Sequence, residues 1–214
     1  MSWLDRITDV WAKLTAKPAP TSRPNTGPRP CSREEALARM LELVGQSFPY
    51  VLGTGDIEGQ TTRKDGKRGL DCAGAAQCYA YKVKRHRKGY NKGPWASVTD
   101  DVNTNSGIED AEHGQELWRI VGEGEEVLPG DLIAYPTIYV KGVKEPFIGH
   151  VQMVVRVPVG WKRSDGYSKL TVAHCHGPTG RSPAVTLDSG AACDRHDAKW
   201  PRAEHRTKVL RVVE

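Results

Sequence analysis

No stretch of the 214-residue chain approaches the roughly 18 consecutive apolar residues that a membrane-spanning helix needs, so the sequence predicts no transmembrane segment. The opening MSWLDRITDVWAKLTA carries Asp5 and Asp9 inside its apolar pattern, which is not the pattern of a secretory signal. Export is therefore expected by another route, if it occurs. Five cysteines, Cys31, Cys72, Cys78, Cys175 and Cys193, are an odd number at irregular spacing, which argues against a disulfide scaffold and for a functional thiol. No regular zinc-finger spacing organises His174, Cys175, His176, Cys193 and His196, and strand alternation turns Cys175 away from the two neighbouring histidines. Internal repeats are absent as well. The net charge of +5 is scattered, with one dense basic run, KVKRHRK from Lys82 to Lys88, and no aromatic RNA-binding signature beside it. That run reads as a solvated helix end whose cations complement the dipole, and no nucleic-acid partner is expected.

What is present is the profile of a soluble globular chain, with 38% hydrophobic and 27% charged residues. Trp3, Leu4, Ile7, Val10, Trp11 and Leu14 fall on one face of a short amphipathic helix over about Ser2 to Ala16. Pro18, Pro20, Pro24, Pro28 and Pro30 then form an extended linker with no core of its own. Residues 1–30 are thus read as a helix and linker, with the helix docking on its own domain, on a partner or on a membrane surface, and 31–214 as the domain. There Ser32 and Glu35 predict a capping box, and Leu37, Met40, Leu41 and Val44 an inward helical stripe. A second helix is expected from Cys72 and a weak one over about Ile108 to Val121. DLIAYPTIYV, IGHVQMVVRV, SKLTVAHCH and TKVLRVV read as strands. Helices first and strands after predict an α+β fold with an antiparallel sheet.

The chemistry centres on GLDCAGAAQCYAY. Asp71 is a good N-cap, and the alanines that follow favour a helix, so Cys72 is expected in its first turn. A thiolate there is stabilised by the helix dipole, and a nearby histidine or cation would lower its pKa from about 8.5 to between roughly 3.5 and 7.5. The alternative is that Cys72 is simply a buried small hydrophobe. A nucleophilic cysteine needs a base, and the base needs a group to fix its tautomer. His150, at the start of an apolar strand, is the candidate base. His174 and His176, two apart on one strand face, are candidates for the third position. His174, deeper in the strand, is expected to be the better anchored.

FPYVLGTGD, GLDCAGAAQCYAY, LPGDLIAY, GHVQMVV and VAHCHGP follow one another in the order, and with the textures, of the NlpC-like peptidoglycan endopeptidases. The resemblance covers about residues Ser32 to Thr179, and the HCH island and long middle segment make the chain look most like bacteriophage-encoded versions. The resemblance implies a papain-like α+β fold, with the nucleophile helix packed on an antiparallel β-sheet. Cys72 would be the nucleophile, His150 the base and His174 its orienting partner. Tyr50 would lie beside the thiol and, with the Cys72 N–H, hold the substrate or the oxyanion. The substrate would be the stem peptide of peptidoglycan, cut beside its D-glutamyl residue through a thioester, without metal or organic cofactor. Such an enzyme would act at the bacterial cell wall, in a virion or at lysis. The chain departs from the family in Ala73 after the cysteine, in Gln152 two past the histidine, and in the insertion PVGWKRSDGYSK before His174. A non-catalytic wall-binding or virion module on the same fold, or an amidase or acyltransferase using the same three residues, remains open.

Overall fold

The computed structural model describes residues 31–52, 55–56, 69–83, 104–114, 117–178, 180 and 182–213. The expected N-terminal helix and proline linker, and most of the basic run, lie outside these residues. The chain is α+β. Six strands form one sheet in the order β3-β8-β4-β5-β6-β7, with every neighbouring pair antiparallel. They are β3 (Trp118–Ile120), β4 (Leu132–Tyr135), β5 (His150–Arg156), β6 (Thr171–Cys175), β7 (Val185–Ser189) and β8 (Lys208–Val212). A separate two-stranded ribbon pairs β1 (Gly55–Asp56) with β2 (Gly69–Leu70).

Helix α1 (Arg33–Leu43) begins where the sequence predicts, with Ser32 Oγ accepting from the Glu35 N–H at 3.2 Å. Glu35's carboxylate pairs across to Lys82 Nζ at 2.5 Å. The buried stripe is Ala36, Leu37, Met40 and Leu43, one step round from the expected one; Leu41 and Val44 are half-buried at its margin. Helix α2 (Gly74–Ala80) continues directly from helical Cys72 and Ala73 but is wound as a π-helix. It packs with α1 over one face of the sheet, where Leu132, Ala134, Val151, Met153, Ala173 and Leu210 supply the core.

The helix expected over Ile108 to Val121 is a correction. Helix α3 (Thr104–Glu109) runs on as a π-helical turn, Asp110–Gly114, and Trp118–Ile120 is then a strand. The buried Asp110 carboxylate accepts from the N–H groups of Leu117 and Trp118, at 3.0 and 2.7 Å, and so turns the chain back. Trp118 then buries its ring edge-on to Tyr81 at 4.8 Å, a gain that a solvated helix would not offer.

The opposite face is covered by helix α4 (Ala191–Lys199) and by the insertion after β5. The insertion is folded, with short 3-10 turns at Arg163–Asp165 and Tyr167–Lys169. Asp194 of α4 accepts from the N–H groups of Tyr167 and Ser168, both at 2.7 Å. The LPGD island serves this frame. Asp131 is fully buried and takes a two-pronged bond from Arg211, at 2.8 and 2.7 Å, plus the Leu128 N–H at 2.8 Å. Gly130, at φ +93°, accepts from the Tyr81 hydroxyl at 2.6 Å. These bonds tie β4, β8 and the end of α2 into one unit.

Candidate active site

Cys72 lies where the sequence predicts, in the first turn after β2. Asp71 Oδ1 accepts from the Gly74 N–H at 2.6 Å, so this buried carboxylate is the cap. The Pro49–Val51 segment is laid against the same turn, with the Leu70 N–H donating to Pro49 O and the Val51 N–H to Leu70 O. This sets Tyr50 beside the thiol. The thiol itself is not activated as expected. Cys72 is 6% exposed, and burial, with the adjacent Asp71 carboxylate second, pushes its pKa up to about 11. The N–H groups of Val151 and Ala73 and the Thr104 hydroxyl are directed at the sulfur and offset only part of that cost. The helix start is there, but the helix dipole is outweighed by desolvation.

The imidazoles gather at the end of β5 and β6. His150 Nε2 and His174 Nδ1 are 2.9 Å apart, with rings nearly perpendicular. His174 is 5% exposed and stacks on His176, ring centroids 4.1 Å apart. His176 is half-buried and reaches Thr186 Oγ1 at 3.1 Å. Asp188 Oδ2 stands 3.9 Å from His174 Nε2. Of the two histidines that the sequence could not rank by periodicity, His174 is the one in contact with His150. The insertion does not disturb this, because β5 and β6 pair normally beyond a bulge between Val154 and Arg156. Burial, and then the nearby His176, lowers the His150 pKa to about 4, so the ring is neutral at physiological pH.

Glycine is required before His150. A Cβ on Gly149 would fall 2.6 Å from the Thr137 nitrogen and 2.7 Å from Tyr135 O, so only glycine lets the chain enter β5 here. The entry leads into a cleft of about 370 Å³ lined by Tyr50, Tyr135, His150, His174, His176 and Arg195, among others. The even residues of β5 face α4, as the Gln152 contact with Cys193 at 3.7 Å records. Val151 and Met153 share the core of Cys72. The thiol and the imidazole cluster therefore lie towards opposite faces of the sheet. At the start of β5 the Val151 N–H, the amide that follows His150, is directed at the sulfur. Tyr50 and Tyr135 bridge the two sides. Both line the cleft, and burial raises both phenol pKa values, helped next by Cys72 at Tyr50 and by Cys193, then Cys72, at Tyr135.

The histidines and cysteines crowded in the C-terminal part of the sequence separate in the fold. The Cys175 thiol points to Leu70 O at 3.3 Å on the α2 side, Cys193 is buried under α4, and His196 stacks on Tyr135 at 4.2 Å. His174 and His176 instead converge with Asp188, their ligand atoms all within 4.8 Å of one another. Sequence reasoning missed Asp188, Arg195, Thr104 and Tyr135. The first two sit on β7 and α4, which carry little apolar periodicity. Comparison of the chain with protein-family models, with curated proteins and with solved structures gives no match to any of them.

Proposed function

We propose that the protein is a cysteine peptidase that hydrolyses the stem peptide of bacterial peptidoglycan, on the NlpC-like, papain-type plan that its sequence islands resemble. The observation that carries this reading is the 2.9 Å bond between His150 and His174 at the strand end whose next amide is directed at the Cys72 sulfur. His150 Nε2–H donates to His174 Nδ1, which leaves Nδ1 of His150 as the lone pair that can take a proton. The Cys72 proton passes to that nitrogen, and the sulfur attacks the scissile carbonyl. The Cys72 N–H, with Tyr50 beside it, supports the oxyanion. His150 then returns the proton to the leaving amine as the C–N bond breaks, and water hydrolyses the thioester with the same imidazole as base. Because the thiol starts bonded to the Val151 amide, its Sγ must swing towards the Tyr50 side before attack. A bacteriophage enzyme acting at the wall, in a virion or at lysis, is the setting that the resemblance points to.

A second reading is favoured by one observation, the buried thiol with its raised pKa. On that reading the cleft is a wall-binding module that performs no chemistry. Mass spectrometry of muropeptides from purified walls separates the two. The peptidase reading expects shortened stem peptides with the wild-type protein and none with Cys72→Ala. Identical muropeptides from both, with the protein retained on the walls, would favour the binding module. The masses of the products also separate peptide cleavage from amidase or acyl-transfer chemistry.

A further inference from the structure

We propose that His174, His176 and Asp188 form a binding site for a divalent transition-metal ion of the Zn²⁺ type, and that its occupancy switches off His150 as a base. The site stands on geometry alone; the switch rests on the peptidase reading above.

The strand pairing builds the site. His174 and His176 are alternate residues at the end of β6, on one face, and Asp188 of β7 is paired with Val172, one diagonal step from His174. Their ligand atoms lie within 4.8 Å of one another, and His174 Nε2 is 3.9 Å from Asp188 Oδ2. A tetrahedral ion with bonds of about 2.0–2.2 Å spaces its ligands about 3.3–3.5 Å apart, so closure needs about an ångström of movement. Asp188, whose side chain is 59% exposed, supplies the part on its side, and the half-buried His176 ring supplies the rest by leaving its stack on His174 and its contact with Thr186 Oγ1. Two imidazoles and one carboxylate suit Zn²⁺, whereas Mg²⁺ and Ca²⁺ favour oxygen ligands throughout. The cleft leaves a fourth position for water. Arg195, which lines the same cleft, is a like charge that the ion must tolerate.

The switch follows from proton counting. Coordination through His174 Nε2 uses that lone pair, so the single ring proton must sit on Nδ1. Nδ1–H then donates to His150 Nε2 across the 2.9 Å contact. His150 Nε2 becomes the acceptor, and the one proton of a neutral His150 is held on Nδ1, the nitrogen that has to receive the Cys72 proton. Metal occupancy and base catalysis thus demand opposite tautomers of the same pair.

Isothermal titration of the full-length protein with ZnCl₂ tests the site, and Zn²⁺ titration of wall hydrolysis tests the switch. One equivalent is expected to bind wild type and Cys72→Ala alike, and to bind His176→Ala and Asp188→Asn at least tenfold more weakly. The Zn²⁺ concentration that halves wall hydrolysis is expected to rise by at least the same factor in Asp188→Asn. Binding lost in Cys72→Ala, or unchanged in both ligand variants, overturns the site. Stoichiometric binding without inhibition overturns the switch. Zinc bound by a protein that leaves walls uncut supports the site while the peptidase reading fails. Walls cut with no zinc bound would be the reverse.

Discussion

The two faces of the sheet are built on different principles. The α1–α2 face is an apolar core of Leu, Val, Met and small residues, with Cys72 near its edge and desolvation governing its thiol. The α4 face carries the histidines, Asp188 and Arg195 around an open cleft, where residues from separate strands meet through pairing and side-chain contact. A helix start can place a thiol, but it cannot keep that thiol ionised once α3 and β5 have covered it. Imidazoles two apart on a strand, by contrast, keep their spacing while differing in access, His174 being buried and His176 half-buried. The proposed nucleophile and the proposed base are both shielded, and burial moves their pKa values apart, the Cys72 thiol up and the His150 imidazole down.

Breaking the frame that both faces share should have the largest effect. Asp131→Ala leaves the Arg211 guanidinium without its buried partner and removes the acceptor for the Leu128 N–H. A loss of about 3–5 kcal/mol in unfolding free energy is expected from urea denaturation. Within the cleft, His174→Ala should lower wall hydrolysis by about a hundredfold, and His176→Ala by about tenfold or less, with circular dichroism unchanged. A larger loss from His176→Ala would mean that the stacked outer ring, not the one bonded to His150, orients the base. The smallest effect sharpens the contrast from the thiol side. With its pKa raised to about 11, the protonated form of Cys72 dominates at neutral pH, and the thiolate fraction grows as pH rises towards that value. Iodoacetamide labelling of Cys72, followed by peptide mapping, should therefore climb about tenfold per pH unit from pH 7 to 9 without levelling. A plateau near neutral pH would mean a preformed thiolate.

The local signals were legible in the sequence because each is written in one short segment. The Ser32 and Asp71 caps, the apolar runs of β5, β6 and β8 and the shared face of His174 and His176 all belong to this class. Helix α4 was not, since AACDRHDAK buries only Cys193 and so shows no apolar stripe. Strand β3 is three residues long and takes its conformation from β8 and from the Asp110 turn, neither of which is adjacent in sequence. The Thr104 and Val151 groups directed at the Cys72 sulfur come from segments distant in sequence, which approach it only in the folded chain. The same holds for Asp188, whose place beside His174 is a matter of strand register.

On the proposed mechanism Cys72 and His150, on opposite sides of the sheet at the start of β5, act as one unit. A double-mutant cycle on wall hydrolysis tests it, with Cys72→Ala, His150→Ala and the double variant assayed on one wall preparation. Each single variant is expected to lose at least about a thousandfold, and the double variant to be no worse than either. Losses that multiply, or a His150→Ala protein that still cuts near the wild-type rate, would contradict it.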